Sequence, residues 1–267
     1  MSIPKRIHYC WFGGNPLPED AKRYIDSWKK YCPDYEIIQW DETNFDLESN
    51  AYVREAFQSR KWAFITDYVR LFVLYTYGGI YMDTDVEVLK NLDVFLNQHA
   101  FSGFERTEMI PTGIMASEQG GLWVGMLLHY YDDHHFLLKD GTMDMTTNVV
   151  TITNMTKERY PIVLDGTLQK CNGDVTFYPP EYFCPKSYQT GKIELTKNSY
   201  TIHHFAGSWL TEEEKKNAAR TRKYRKVFGK RIGGSLAYYH GRIQSQGLLT
   251  SFQKGIRHLR GKETENE

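Results

Sequence analysis

The sequence predicts an α/β fold on a mostly parallel sheet, and three stretches carry that expectation. Residues 3–40 alternate strand, helix and strand, the order that makes neighbouring strands parallel. From Ala63 to Tyr77 apolar residues recur at helical spacing, and Gly78-Gly79 supplies the left-handed stop that ends a helix. Ile80 to Val88 then alternates apolar and polar residues, as a half-buried strand does.

The chain holds 267 residues, 41% hydrophobic and 25% charged, enough for one large domain or a domain with an appendage. Formal net charge is zero, but it is unevenly spread. Residues 211–267 carry 14 Lys+Arg against 6 Asp+Glu, which leaves 19 against 27 for residues 1–210. We therefore expect a single catalytic domain over 1–210 and a basic, mainly helical C-terminal extension over 211–267. Four cysteines, Cys10, Cys32, Cys171 and Cys184, lack CxxC spacing, and the N-terminus lacks the order of a signal peptide. The expectation is a cytoplasmic protein with reduced thiols. The longest apolar run, Leu71 to Met82, is too short and too glycine-broken to span a bilayer. No nucleic-acid motif accompanies the basic tail, so nucleic acid is not expected as a partner.

Taken in order, Ile3 to Phe12 reads as a first strand and Gly13-Gly14-Asn15-Pro16 as the loop after it. Ligands gather beyond the carboxyl ends of strands in open α/β sheets, so Trp11 is placed either to stack on a planar group or to fill the core. Glu19 to Tyr31 is an amphipathic helix with Ala21, Tyr24, Ile25 and Trp28 on one face, and Tyr35 to Trp40 is the next strand. Asp41 to Arg60 is polar, with room for one short helix. Ala100 to Phe104 suggests a strand, and Ile110 to Ser117 has the small residues needed where backbone approaches a ligand. Leu122 to Tyr131 reads as a helix, and the Asp132-Asp133-His134-His135 run after it as a charged helix end or a metal site. Asn148 to Thr153 is a β-branched run whose polar members could face a sugar. Phe177 to Pro185 is crowded with aromatics and prolines and suggests an irregular wall. Tyr200 to Trp209 resembles a final strand running into a Gly-Ser turn. A basic tail like the one beyond it can hold anionic lipid headgroups or simply be solvated.

Two pairs of charges give the central stretch its chemistry. On a strand from Ile80 to Val88, Asp83 and Asp85 fall on one face, about 7 Å apart. Carboxylates so placed repel unless a proton or a cation intervenes, and a hard divalent cation is the simplest remedy. Asp67 and Arg70 lie one helical turn apart among Ile65, Val69, Leu71 and Leu74, where isolated charges are costly. They form either a structural pair or the lining of a site. His203 and His204 would point to opposite faces of a strand, so only one can reach a metal.

IPKRIHYCWFGG, the Asp67-x-x-Arg70 helix, GGIYMDTD and HHFAGSW together resemble the DxD sugar transferases of glycosyltransferase family 32, which include bacterial capsular and cell-surface polysaccharide enzymes. More distantly, the chain is similar to the glucosylating domains of clostridial toxins and to family 8. The resemblance spans roughly residues 3–209. It implies a GT-A fold, a nucleotide-sugar donor with UDP favoured over GDP, Mn²⁺ or Mg²⁺, and retention of anomeric configuration. Trp11, Phe12 and Gly13 would then hold the nucleotide, and Asp67 with Arg70 the donor sugar and phosphate. Asp83, Asp85 and His204 would hold the cation, Asp83 would also touch ribose or sugar, and Ser208 with Trp209 would close over the diphosphate. His204 is preferred to His203 from the likeness of HFAGSW to the family 8 HxxGxxKPW ending; no Lys-Pro precedes Trp209 here. A glycan or lipid-linked oligosaccharide is the implied acceptor, with the enzyme cytoplasmic or peripheral on the inner face of the membrane.

Two other readings share part of this signal. MDTDV fits the DxDx[TV] signature of haloacid-dehalogenase-like phosphatases, although a later lysine and acidic pair are hard to place. A non-catalytic carbohydrate-binding or scaffold protein with a vestigial nucleotide-sugar site is the other.

Overall fold

A computed structural model describes residues 2–105, 108–110, 113–207 and 212–246, apart from the side chains of 212, 230, 231 and 242–246. The chain divides into two compact units, 1–186 with 194–209, and 187–193 with 210–267.

The first unit is built on a seven-stranded sheet in the order β2-β1-β3-β6-β5-β8-β7. β1 (Arg6–Cys10) lies between β2 (Glu36–Trp40) and β3 (Gly79–Met82) and runs parallel to both. β6 (Ile114–Ser117) is antiparallel to β3 and to β5 (Ala100–Gly103). β8 (Val175–Tyr178) runs parallel to β5, and β7 (Gln169–Cys171) is antiparallel at the edge. Five of the seven strands therefore share one direction and end on one rim, which is the α/β class that the sequence predicts.

Helices cover both faces. α1 (Glu19–Tyr31) buries Ala21, Tyr24, Ile25 and Trp28, the residues its periodicity selects. Asn50 caps α2 (Ala51–Gln58) by accepting from the Tyr52 and Val53 amides, satisfying two donors that a helix start leaves open. α3 (Trp62–Tyr77) is buried almost all round, ends at Gly78 and turns back into β3. Only glycine fits there: φ is +64°, and a Cβ would sit 2.7 Å from the Gln119 amide nitrogen and 2.9 Å from the Pro4 ring. Side chains of β3 alternate between two cores. Ile80 and Met82 join the α1 side with Trp28 and Ile25, while Tyr81 joins the α3 side with Leu71 and Trp123. His8 is buried between them as a neutral ring, its pKa pushed down by burial. It accepts from Trp40 Nε1 at 3.1 Å and donates to the Gly78 carbonyl at 2.9 Å.

Three local expectations change. Residues 83–85 form a turn and not strand, because β3 stops at Met82 and β4 (Val86–Val88) leaves the main sheet to pair with β9 (Thr201–His203). Asn148 to Thr153 opens a helix, α5 (Asn148–Arg159), which follows α4 (Leu122–His129); its apolar residues pack helically. Phe177 and Tyr178 belong to β8, and the prolines after them start a single helical turn, α6 (Pro180–Phe183), as proline at a first helical position allows. The Asp132–His135 run follows the end of α4 as a charged segment, with His134 bonded to Asp144 at 2.9 Å and His135 to Glu55 at 2.6 Å, and no metal cluster forms there among the described residues. All four cysteines are buried and unpaired. The second unit carries α7 (Glu212–Phe228) and α8 (Lys230–Gln246).

Candidate functional site

The turn after β3 places Asp83 and Asp85 at the carboxyl rim of the sheet. Its shape is fixed by the backbone, with the Asp83 amide donating to the Gly113 carbonyl at 2.9 Å and the Val86 amide to the Asp83 carbonyl at 3.0 Å. β4 then pairs antiparallel with β9 so that Val86 faces His203. This register brings a residue from far along the chain against the turn. His203 Nε2 lies 3.3 Å from Asp85 Oδ1. Asp85 Oδ2 accepts the Ala206 amide at 2.7 Å, and the Asp85 carbonyl accepts the His204 amide at 2.9 Å. Oxygens of Asp83 and Asp85 and a ring nitrogen of His203 all lie within 4.8 Å of one another.

Two carboxylates and one imidazole form a donor set suited to a divalent cation such as Mn²⁺. His203 Nδ1 is buried and unmatched by any acceptor. An imidazolium stands beside Asp85, and binding a cation through His203 would release its proton. Burial pushes Asp85 up, yet the His203 charge and its hydrogen bonds hold the carboxyl down, at about 2. Burial pushes His203 down, yet Asp85 holds the imidazole well above its ordinary range.

A second cluster adjoins the first from α3. Arg70 Nη2 lies 3.5 Å from Asp67 Oδ1 and 3.4 Å from Asp83 Oδ1 and so ties the helix to the turn. The guanidinium sits over the Tyr81 ring, 4.7 Å from its centre, and the Tyr81 hydroxyl donates to Asp83 at 2.9 Å. Asp67 is buried, and burial pushes its carboxyl up to about 7 against the opposing pull of Arg70 and Asn148. Asn148, the first residue of α5, donates to Asp67 Oδ1 at 3.1 Å while its own Oδ1 is buried without a partner. The pair called structural or functional on sequence is thus buried, shared with the DxD turn, and bordered by an unsatisfied polar group.

The histidine expectation is corrected. His203, not His204, meets Asp83 and Asp85, because the β4–β9 register sets alternation against the turn and sends His204 to the other face. There His204 Nε2 bonds Glu87 at 2.8 Å and its ring stacks on Tyr24 at 4.4 Å between centres. Lys186 donates to the His204 carbonyl at 2.9 Å. The Phe12 side chain lies in the core, edge-on to Phe45. Trp11 is half-buried at the end of β1, its Nε1 donating to the Asn15 carbonyl at 2.6 Å. The Gly13 amide donates to Glu42 at 3.1 Å, and a Cβ at Gly13 would strike the Trp62 ring at 2.8 Å. Ser208 and Trp209 lie outside the described residues. Sequence reasoning missed Tyr81 and Lys186, neither of which carries a spacing signal, and marked Gly113 only within the small-residue stretch Ile110 to Ser117. Asn148 is marked in the sequence as a polar member of a β-branched run that could face a sugar.

Residues 18–102 match the family described as "Glycosyltransferase sugar-binding region containing DXD motif". That span includes Asp67, Arg70, Asp83 and Asp85 but stops short of His203. Among curated proteins, the chain is 35% identical over 123 residues to inositol phosphoceramide mannosyltransferase 3 of Schizosaccharomyces pombe, covering 45% of this chain and 33% of that protein. It is 27% identical over 211 residues to mannosyl phosphorylinositol ceramide synthase SUR1 of Saccharomyces cerevisiae, covering 74% and 51%. The chain spans about a third to a half of the length of these relatives. Among solved structures, the PaToxG glycosyltransferase aligns over 59% of this chain and 69% of its own, with 21% identity and a TM-score of 0.46.

Proposed function

We propose, with the sugar-binding region of a DXD glycosyltransferase as the premise for residues 18–102, that this GT-A-type α/β chain transfers a hexosyl group from a nucleotide-sugar to a glycan or glycolipid acceptor. The convergence of Asp83, Asp85 and His203 beside the buried Asp67–Arg70 pair carries this reading. Leaving of the nucleoside diphosphate develops negative charge, and positive charge fixed in place lowers the barrier where that charge appears. A divalent cation held by Asp83, Asp85 and His203 would supply Lewis-acid stabilisation of the diphosphate. Arg70, buried and held charged by Asp83 despite the cost of burial, adds a second fixed cation on the sugar side. Asp67, raised to about 7, can give or accept a hydrogen bond at a donor-sugar hydroxyl near neutral pH. Asn148 offers its unsatisfied oxygen to the same region.

No side chain in this set is assigned as a covalent nucleophile. Retention is proposed to proceed by front-face attack assisted by the departing phosphate, and a trapped glycosyl-enzyme in the wild type would overturn that. UDP-sugars are expected from the family resemblance, and the mannosyltransferase names of the relatives place GDP-mannose in the same panel. Their ceramide acceptors support a lipid-linked acceptor here, and the reading places the protein in the cytoplasm, at the membrane surface.

The experiment is release of nucleoside diphosphate from a panel of UDP- and GDP-sugars, with Mn²⁺ and with EDTA. Turnover that is lost in EDTA supports the proposal. Phosphate release from a phosphomonoester without sugar transfer would establish the phosphatase chemistry instead, and donor binding without turnover would establish the binding-protein alternative.

A further inference from the structure

The C-terminal unit is a helical hairpin with an unusual distribution of side chains. α7 and α8 run antiparallel, joined at Gly229 with φ at +76°. They pack through small residues. A Cβ at Gly233 would lie 2.5 Å from the Tyr224 carbonyl oxygen, Gly241 lies under the Arg220 guanidinium, and Ala237 between them is buried. Gly233, Ala237 and Gly241 repeat every four residues and so form one stripe along α8. The Tyr224 hydroxyl and His240 Nδ1, 2.9 Å apart, close the seam.

Because the inside is small, the large apolar groups face out. Val227 (68% exposed), Phe228 (50%) and Ile232 (63%) cluster at the hairpin turn, and Leu236 and Tyr239 continue the Ile232 stripe along α8. Charge is equally one-sided. Residues 215–262 contain 14 Lys+Arg and no Asp or Glu. Glu213 and Glu214 stand at the opposite end of α7, roughly 20 Å from the turn at 1.5 Å per residue. Lys223 and Lys226 are exposed beside the apolar cluster.

We infer that the turn of this hairpin docks on an anionic lipid bilayer. Val227, Phe228 and Ile232 enter the headgroup boundary, and Lys223 and Lys226 pair with lipid phosphates. Apolar burial and attraction to anionic lipid act together in interfacial helices of this composition. A neutral apolar partner would account for the exposed side chains but not for 48 residues without an acid; a bilayer with anionic headgroups accounts for both. Docking of this kind would hold the chain where lipid-linked acceptors lie, and it stands apart from sugar transfer, because vesicle binding is read without donor or acceptor.

The test is flotation of the full-length chain with vesicles of phosphatidylcholine alone and of equal parts phosphatidylcholine and phosphatidylglycerol. Wild type is expected to float with the anionic vesicles and not with the neutral ones, and to come off in high salt. The triple variant Val227→Ser, Phe228→Ser, Ile232→Ser is expected to lose at least about tenfold in binding, and Lys223→Gln and Lys226→Gln about fivefold each. Helical content by circular dichroism and donor hydrolysis are expected to stay at wild-type values in all three. Equal capture by both vesicles, capture by neither, or undiminished capture of the triple variant overturns docking. If wild type ignores vesicles but is a dimer that the triple variant makes monomeric, the surface belongs to a second copy. If it ignores vesicles but retains RNA, the charge serves nucleic acid; either result overturns the inference.

Discussion

Two carboxylates of this site, 18 positions apart in the chain, hold opposite protonation tendencies. Asp67, on α3, is pushed up to about 7, while Asp85, in the turn, is held at about 2. Burial raises both, so what separates them is how their partners are supplied. Asp67 shares the Arg70 guanidinium with Asp83 at 3.5 and 3.4 Å, and among the described residues Asn148 is its side-chain donor. Asp85 has an imidazolium of its own, together with the Ala206 amide at 2.7 Å. A carboxylate with a dedicated cation and a backbone donor stays ionised, which suits it to a metal. One that competes for its cation sits near neutrality, which suits it to hydrogen bonding with an uncharged hydroxyl.

The sharpest way to break this contrast is to neutralise each member. Asp85→Asn removes the group kept anionic, and turnover of any accepted donor is expected to fall by about a thousandfold or more with far-UV circular dichroism unchanged. Wild-type turnover in that variant would remove Asp85 from cation binding. His203→Ala is expected next, weakening Mn²⁺ binding by roughly a hundredfold in calorimetry. His204→Ala should leave Mn²⁺ affinity close to wild type and instead loosen the contact with Glu87 and Tyr24. Equal losses in the two histidine variants would contradict the register of β4 and β9.

That register marks the limit of what the sequence could disclose. Helix spacing from Ala63 to Tyr77, the Gly78-Gly79 stop and the faces of α1 are local properties, and each is realised within a residue or so. Asp67, Arg70, Asp83 and Asp85 could be singled out because charge in apolar surroundings is visible in one dimension. The choice between His203 and His204 was not, because it depends on which residue of a three-residue strand faces Val86 across 117 positions of chain. Asp83 and Asp85 do converge, but through a turn between two sheets and not along one strand face. Just past the end of β1, Phe12 turns its side chain into the core while Trp11, one residue earlier, stays half-buried.

Gly113 extends the comparison to the frame around Asp85 and His203. It accepts the Asp83 amide, and a Cβ there would come within 2.9 Å of His203 Nδ1 and 3.0 Å of Cε1. No positive φ is involved, so alanine is allowed by the backbone and excluded only by the imidazole. Gly113→Ala is expected to displace His203 and weaken Mn²⁺ binding by about tenfold, in the range found for groups that orient a ligand, with a melting temperature within a few degrees of wild type. Unchanged affinity would mean that His203 tolerates the shift and that its ring position is not set by Gly113.

The smallest effect separates Asp67 from Asp85 by pH alone. A carboxyl raised in the folded state binds its proton more tightly there than in the unfolded chain, where its pKa is about 3.9. The stability it contributes is therefore fully present below about pH 4 and is lost as pH rises through about 7. Asp85 behaves in the reverse sense: its contribution is present above about pH 4 and is lost only as pH falls towards about 2. The windows do not overlap, so between pH 4 and 8 the drift assigned to this pair comes from Asp67. Asparagine at position 67 cannot ionise but can still accept from Asn148. Melting curves of Asp67→Asn and wild type are thus expected to diverge as pH rises from 4 to 8, the variant gaining relative stability, with most of the change complete by about pH 7. Parallel curves across that range would place the Asp67 proton outside the folding equilibrium and leave Arg70 able to satisfy both of its carboxylates at once.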